Sequence, residues 1–94
     1  MRESAIEKYL TNQIKKLGGL SYKWVSPGNS GVPDRIIILF RKVYFIEVKT
    51  LEGKPSKLQK IVLNTLENAG CNILIIHSKG EVDEFCKNCC SEKY

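Results

Sequence analysis

Two short apolar runs, separated by two basic residues, constrain the fold of this chain more than any other feature. Residues 36–40 read Ile-Ile-Ile-Leu-Phe and residues 43–46 read Val-Tyr-Phe-Ile, with Arg41 and Lys42 between them. β-Branched and aromatic side chains fit a pleated, buried surface, so each run predicts a strand. The short basic break predicts that the two strands pair antiparallel through a tight turn at Arg41 and Lys42.

Charged residues lie at the open end of this predicted hairpin. Asp34 precedes the first strand, and Glu47-Val48-Lys49 ends the second. Side chains alternate along a strand, so Glu47 and Lys49 point to one face and Val48 to the other. Antiparallel pairing brings Asp34 back beside Glu47 and Lys49. Two carboxylates and one ammonium group are therefore expected to meet at one end of an apolar hairpin.

Two interpretations of this charged cluster are open, because charges within apolar strands are costly unless they are paired or bind a metal. Lys49 can neutralise Glu47 in a structural ion pair. Alternatively, the carboxylates offer the hard oxygen ligands of Mg²⁺ or Mn²⁺, with the lysine beside the ion. The triplet Glu-x-Lys occurs by chance in many proteins. Pro33-Asp34 one hairpin upstream is more specific and favours the metal site.

The same motifs resemble the signature of the PD-(D/E)xK nuclease superfamily. The fuller pattern is similar to the virus-type replication-repair nuclease (VRR-NUC) domains, with a glutamate on a first helix, Gly-x-Pro-Asp, Glu-Val-Lys and Ser-x-x-Gln. The last of these is Ser56-Lys57-Leu58-Gln59, and the resemblance extends over about residues 3–76. It implies a restriction-endonuclease-like αβββαβ(α) core, in which helices flank a mixed four-stranded sheet.

Residues 3–17 predict the first helix. Its apolar stripe has the spacing of four, four and three residues that one helical face requires and consists of Ile6, Leu10, Ile14 and Leu17. Glu3 lies near the centre of this stripe, one turn ahead of Ile6, and is expected to point along the buried face. A glutamate in a first turn can simply favour the helix dipole. The resemblance instead implies that Glu3 is the helix-one metal or metal-water ligand, with Glu7 as the alternative.

The rest of the chain supplies the remaining elements in the same order. Alternation predicts a strand over residues 20–26, and Ser56 is a good N-cap for a helix that ends near residue 69. A continuous apolar run over residues 72–76 predicts a strand buried on both faces, joined to residues 43–49 by a right-handed crossover and parallel to them. A last helix over residues 81–89 and a frayed tail over residues 91–94 complete the prediction.

Size and charge limit what the chain can do. Its 94 residues predict one domain over residues 1–94. The net charge of +5 and the isoelectric point near 9.1 favour an anionic partner such as nucleic acid. The same charge can also simply keep the protein in solution. No stretch has about 18 uninterrupted apolar residues, and the N-terminus does not have the pattern of a signal peptide. We expect a cytoplasmic protein, and the resemblance points to a bacterial or phage-infected cell.

Four cysteines occur at Cys71, Cys86, Cys89 and Cys90. The spacing Cys86-x-x-Cys89 is typical of metal ligands, but a second Cys-x-x-Cys pair or a His-x-His cluster is missing. We therefore expect free thiols on a partly buried helix rather than a zinc site.

The resemblance implies a set of metal ligands. Asp34 and Glu47 would bind Mg²⁺ or Mn²⁺, with the carbonyl oxygen of Val48 as a third ligand. Glu3 would bind a second ion or orient a metal-bound water. Lys49 would orient or deprotonate the attacking water or stabilise developing negative charge.

Gln59 completes the implied site from the first turn of the second helix, where it would hold Lys49 or the water by a hydrogen bond. The implied function is a metal-dependent DNA endonuclease. For a chain of this minimal length, the resemblance points to a Holliday junction resolvase that acts as a homodimer. The alternatives are a flap or restriction-like nuclease, a catalytically silent nucleic-acid-binding domain, and an interaction module held together by zinc.

Overall fold

A computed structural model describes residues 1–92 and contains three helices and four strands in these residues. Their order and bounds are α1 (Glu3–Lys16), β1 (Leu20–Lys23), β2 (Arg35–Leu39), β3 (Lys42–Val48), α2 (Lys57–Asn68), β4 (Asn72–Ile76) and α3 (Lys79–Glu92). The strands form one sheet in the order β1-β2-β3-β4. β1, β2 and β3 pair antiparallel, and β4 pairs parallel to β3. The predicted α/β fold with a mixed four-stranded sheet is confirmed.

The main hydrophobic core lies on one face of the sheet, beneath α1 and α3. Helix α1 buries Ile6, Leu10 and Ile14, the stripe expected from its helical spacing. The strand residues that face these helices are apolar and buried: Ile37, Leu39, Tyr44, Ile46, Val48 and Ile76. Helix α3 closes the same side with Val82, Phe85 and Cys89. This core therefore packs against one face of the two central strands, β2 and β3.

Helix α2 packs against β4 on the other face of the sheet. It buries Leu63, and its N-terminal turn lies beside the end of β3, where Gln59 contacts Glu47. Alternation along β3 explains this division, because Val48 points into the core whereas Glu47 and Lys49 point toward α2. The charged end of the hairpin is therefore separated from the main core by the sheet itself.

The hairpin turn differs from the prediction by one residue. Phe40 and Arg41, rather than Arg41 and Lys42, form the two-residue loop, and Lys42 pairs with Leu39 as the first residue of β3. Both loop residues have positive φ, 50° for Phe40 and 70° for Arg41. Two such residues in succession match the twist of the paired strands, which favours this register although neither residue is a glycine.

Two element ends also differ from the prediction. The regular part of β1 ends at Lys23, and beyond it Trp24 donates one backbone hydrogen bond to the Asp34 carbonyl at 3.0 Å. Helix α3 continues through Glu92, so Ser91 is helical rather than frayed. The rest of the predicted tail, residues 93 and 94, lies outside the described residues.

Within residues 1–92, every helix is too short or too polar to cross a membrane.

Replacing Arg41 by glycine is expected to raise the free energy of unfolding by about 1 kcal/mol, because glycine adopts a φ of +70° without the steric cost that a side chain incurs. The neighbouring Lys42→Gly is the matched control and should destabilise the protein, since Lys42 lies within β3. Urea unfolding of both variants measures the two effects. A loss of stability in Arg41→Gly would contradict the left-handed turn.

Candidate active site

The charged residues of the hairpin meet at the end of the sheet next to α2. Arg35 pairs with Ile46 in the β2–β3 ladder, so the next pair along the same register is Asp34 with Glu47. Residues that face each other in an antiparallel pair share a face of the sheet. The Val48 N–H donates a hydrogen bond to Asp34 Oδ2 at 2.8 Å and fixes the orientation of that carboxylate. The structure thus brings Asp34 and Glu47 together as the sequence predicted.

Glu47 is the buried charged residue of this site, with 2% of its surface exposed. Its Oε2 lies 3.1 Å from Lys49 Nζ and accepts a hydrogen bond from Gln59 Nε2 at 2.8 Å. Its Oε1 is buried and has no hydrogen-bond partner in residues 1–92. Burial, followed by the nearby Asp34 carboxylate, raises the pKa of Glu47, and Lys49 offsets part of that rise.

Gln59 is positioned by the helix that carries it. Ser56 caps α2, and the two residues form a capping box: Ser56 Oγ accepts from the Gln59 N–H at 3.1 Å, and Gln59 Oε1 accepts from the Ser56 N–H at 2.9 Å. With Oε1 occupied in this way, the amide Nε2 is directed to Glu47. Gln59 therefore contacts Glu47, whereas the expected contact was with Lys49 or a water. The Ser-x-x-Gln motif starts the helix and completes the site at once.

The loop before Asp34 lies directly against this helix. Gly31 has a φ of +87°, and a Cβ atom there would lie 3.2 Å from a methyl group of Val62 and 3.3 Å from Leu58. A side chain at this position would be strained by its backbone conformation and crowded by α2. The glycine of the Gly-x-Pro-Asp motif thus lets the loop and the helix approach each other around Asp34 and Glu47.

The residues of this site fit a divalent cation. Asp34 and Glu47 provide two neighbouring carboxylates, and the unpartnered, buried Oε1 of Glu47 is the kind of orphaned oxygen that a cation satisfies. An all-oxygen donor set suits Mg²⁺ or Mn²⁺ rather than a softer metal. Within residues 1–92, no three side chains of the His, Cys, Asp and Glu types converge. Among the described residues, the carboxylates that this site offers to a cation are therefore those of Asp34 and Glu47.

Glu3 is not brought to this pair. It was expected to point along the buried face of α1, but it is exposed, because the first turn of the helix precedes the first core contact at Ile6. Its carboxylate has no hydrogen bond or ion pair within residues 1–92. Glu7, the alternative ligand, is engaged instead: its Oε2 lies 3.2 Å from Lys23 Nζ and 3.3 Å from Arg35 Nε.

Sequence reasoning missed the polar network that surrounds Glu7. Arg35 Nη2 donates to Thr11 Oγ1 at 2.8 Å, and Thr11 Oγ1 in turn lies 2.9 Å from Ser21 Oγ. These contacts attach α1 to the start of β2, one residue after Asp34. Alternation along the strands was the signal that could have revealed this network. Lys23 and Arg35 are paired in the β1–β2 ladder, so both side chains lie on the face of the sheet that α1 covers. The network therefore stabilises the start of β2, next to Asp34, from the α1 face of the sheet.

The four cysteines lie away from this site as free thiols. Cys89 is buried in the main core beside Tyr44, and burial raises the pKa of Cys86 to about 11. Cys86 therefore stays protonated at neutral pH, which makes it a poor nucleophile and a poor metal ligand.

Comparison with known proteins gives matches that extend over most of the chain. A curated protein of Acyrthosiphon pisum secondary endosymbiont phage 1, named "Putative nuclease p44", is 39% identical over 80 residues, which are 84% of this chain and 86% of that protein. A solved structure described as a VRR-NUC domain is 32% identical and superimposes with a TM-score of 0.85, covering 90% of this chain and 94% of the other. No family model matches the sequence.

The raised pKa of Glu47 predicts how stability depends on pH when no metal is bound. The neutral carboxyl group is favoured in the folded protein, so its stabilising contribution is complete below the ordinary value of 4.5 and is lost as pH rises through the raised pKa. Glu47→Gln imitates the neutral form. In EDTA it should raise the free energy of unfolding by about 1 kcal/mol at pH 8 and by less at pH 5.

Chemical unfolding at the two pH values measures this difference. Glu52→Gln, at an exposed loop position, is the matched control and should have the same small effect at both. A Glu47→Gln protein that is less stable than the parent at pH 8 would mean that Lys49 compensates fully for the burial of the carboxylate.

Proposed function

We propose that this chain, which belongs to the VRR-NUC family of nucleases, is a Mg²⁺- or Mn²⁺-dependent endonuclease that cuts branched DNA. The observation that carries the proposal is the buried Glu47 carboxylate, which has one oxygen held by Lys49 and Gln59 and the other without a partner, next to Asp34. A structural ion pair alone would account for Oε2. It would leave Oε1 buried and unsatisfied, at a cost in free energy.

In this proposal Asp34 and Glu47 hold the ion, and the backbone carbonyl of Val48 is a third ligand. When bound, the ion lowers the pKa of a coordinated water and neutralises charge on the phosphate. The hydrogen bond from the Val48 N–H to Asp34 Oδ2 leaves the other oxygen of that carboxylate available. Gln59 holds Glu47 through Oε2, so that Oε1 is the oxygen offered to the ion.

Lys49 is the proposed catalytic cation. Its side chain is mostly buried, and its ammonium group lies 3.1 Å from Glu47 Oε2. Its backbone N–H donates a 2.9 Å hydrogen bond to the Ile76 carbonyl. A lysine held beside a metal-binding carboxylate can orient the attacking water or stabilise the charge that develops on the phosphate. Gln59 keeps Glu47 in the position that Lys49 requires.

DNA is the proposed substrate, and branched DNA, specifically a four-way junction, is the proposed form. Lys54, Lys57 and Lys60 are exposed around the start of α2, the same turn that presents Gln59 to the site. Phosphate contacts of this kind position a duplex without reading its sequence, which suits recognition of a DNA shape. A homodimer provides the two active sites that symmetric nicking requires.

Cleavage of a synthetic four-way junction tests the proposal, with a flap, a linear duplex and a single strand as comparison substrates. We expect paired, symmetric nicks with Mg²⁺ or Mn²⁺ and none with EDTA. Asp34→Asn and Lys49→Met should each reduce the rate by roughly 100-fold or more. Glu52→Gln serves as the control for an unrelated charge change on the surface.

Each outcome selects one function. Metal-dependent cutting of flaps or duplex, with the junction left intact, would keep the nuclease and replace the junction substrate. Binding of DNA without metal-dependent cutting of any substrate, by folded protein, would favour a catalytically silent binding domain.

Glu3 is the proposed helix-one residue that binds a second ion or orients a metal-bound water, and comparing it with Glu7 tests that role. Glu3→Gln should lower the free energy of unfolding by no more than about 0.5 kcal/mol, through the lost charge at the start of α1, and should slow cleavage. Glu7→Gln should lower the free energy of unfolding by roughly 1 kcal/mol through its contacts with Lys23 and Arg35. Full activity of Glu3→Gln at all metal concentrations would remove Glu3 from the mechanism.

A further inference from the structure

Strand β4 forms one edge of the sheet and pairs only with β3 in residues 1–92. The Lys49 N–H donates to the Ile76 carbonyl at 2.9 Å, so the backbone groups of Ile76 face β3. Successive residues of a strand direct their N–H and C=O groups alternately toward and away from a given neighbour. The backbone groups of Ile73 and Ile75 therefore point away from β3, at the open edge of the sheet.

The chain itself closes this edge at both ends. Beyond β4, the His77 N–H donates to Glu81 Oε1 at 3.1 Å, and before β4 the Cys71 N–H donates to the Leu66 carbonyl at 3.0 Å. Between these two closures, no hydrogen bond within residues 1–92 engages the outward groups of the two isoleucines. The middle of the edge thus presents two N–H donors and two carbonyl acceptors.

Strand β4 lacks the features by which edge strands usually avoid pairing. Its five residues, Asn-Ile-Leu-Ile-Ile, include no charge and no proline, the residues that commonly protect an edge. The opposite edge strand, β1, ends on Lys23, whose ammonium group pairs with Glu7. Of the two edges of the sheet, the β4 edge is therefore the one suited to accept another strand.

A groove of about 490 Å³ lies along this edge on the α2 side of the sheet. Its apolar lining comes from Leu63 of α2 and from Ile73 and Ile75 of β4. Lys60 and Glu67 also line the groove, and because their charges are opposite they give it no net charge. The groove on this side therefore suits an apolar side chain.

A second groove, of about 190 Å³, lies on the other face of β4, against α3. Leu74 and Phe85 contribute apolar surface, and Glu81 and Glu84 contribute carboxylates. No basic residue lines this groove. Glu84 is exposed and has no ion pair within residues 1–92. The charge of this groove therefore complements a basic side chain.

We propose that the β4 edge binds an extended segment of another protein, in which apolar residues alternate with arginine or lysine. Successive side chains of an added strand point to opposite faces of the sheet, so the apolar ones enter the α2 groove and the basic ones the α3 groove. The open backbone groups of β4 supply the main-chain hydrogen bonds. The inference goes beyond the proposed function, because it concerns a protein partner rather than DNA.

The bound segment would lie next to the candidate active site. Ile75 is opposite Glu47 in the β3–β4 ladder. Neighbouring strands are about 4.8 Å apart, so an added strand runs about 10 Å from the backbone of Glu47. Lys60, which lines the α2 groove, follows Gln59, the residue that holds Glu47. A partner bound at this edge would therefore keep the chain's proposed cutting site beside it.

Fluorescence anisotropy of a fluorescein-labelled heptapeptide, in which isoleucine alternates with arginine, tests the proposal without DNA or metal. Ile75→Pro removes the outward N–H and no hydrogen bond to β3, and it should weaken binding by about tenfold or more. Ile75→Val keeps this N–H and is the matched control, which should bind the peptide like the parent chain.

A charge reversal tests the α3 groove separately. Glu84→Lys should weaken binding of the arginine peptide by about fivefold or more and strengthen binding of the same peptide with glutamate in place of arginine. Glu52→Lys changes the net charge equally but lies outside both grooves, so it should have little effect on either peptide. Circular dichroism verifies that each variant is folded.

Amide hydrogen exchange locates the peptide on the edge. In the free protein, the N–H groups of Leu74 and Ile76, which face β3, should exchange slowly, and those of Ile73 and Ile75 should exchange quickly. Adding the peptide should slow exchange at Ile73 and Ile75.

Several outcomes would overturn the inference. One is a parent chain that does not bind the arginine peptide at about 1 mM. Others are folded Ile75→Pro that binds like the parent, or Glu84→Lys that binds both peptides like Glu52→Lys. Slow exchange at Ile73 and Ile75 in the free protein, lost on dilution, would assign the edge to a second copy and would also overturn it. None of these measurements depends on whether the chain cuts DNA.

Discussion

The burial of one carboxylate, Glu47, determines how the rest of the site is arranged. A buried anion needs compensation, and the chain supplies it from two directions, with Lys49 two residues along the same strand and Gln59 from the helix that follows. Both act on Oε2, so Oε1 is left without a hydrogen-bond partner in residues 1–92, beside Asp34. The structure thus retains an unfavourable group at the point where a metal-dependent nuclease of this family would use it.

Much of this arrangement follows from local sequence signals. Alternation along β3 places Glu47 and Lys49 on one face with Val48 in the core, and the apolar runs predict the strands that bring Asp34 beside them. Ser56 as N-cap predicts the start of α2, and therefore that Gln59 lies in its first turn. Each of these inferences depends on residues that are close together in the sequence, where periodicity and capping are reliable guides.

The features that were missed or predicted incorrectly depend on contacts between distant parts of the chain. Periodicity gives the direction of Glu3 around α1, but it does not say where the sheet beneath the helix ends. The turn at Phe40 and Arg41 has no glycine to mark it, and its position is set by the pairing of β2 with β3. The Glu7–Arg35 contact joins residues 28 positions apart: alternation places Arg35 on the α1 face of the sheet, but it does not identify Glu7 as its partner.

The capping box gives the site a dynamic property of its own. First turns of helices open locally far more often than whole proteins unfold. When the first turn of α2 frays, Gln59 loses its bond to the Ser56 N–H, and nothing then directs its amide toward Glu47. The lifetime of the organised site is therefore tied to the opening rate of a single helical turn. Hydrogen exchange at the Gln59 backbone N–H, which donates to Ser56 Oγ, would report how often this turn is open.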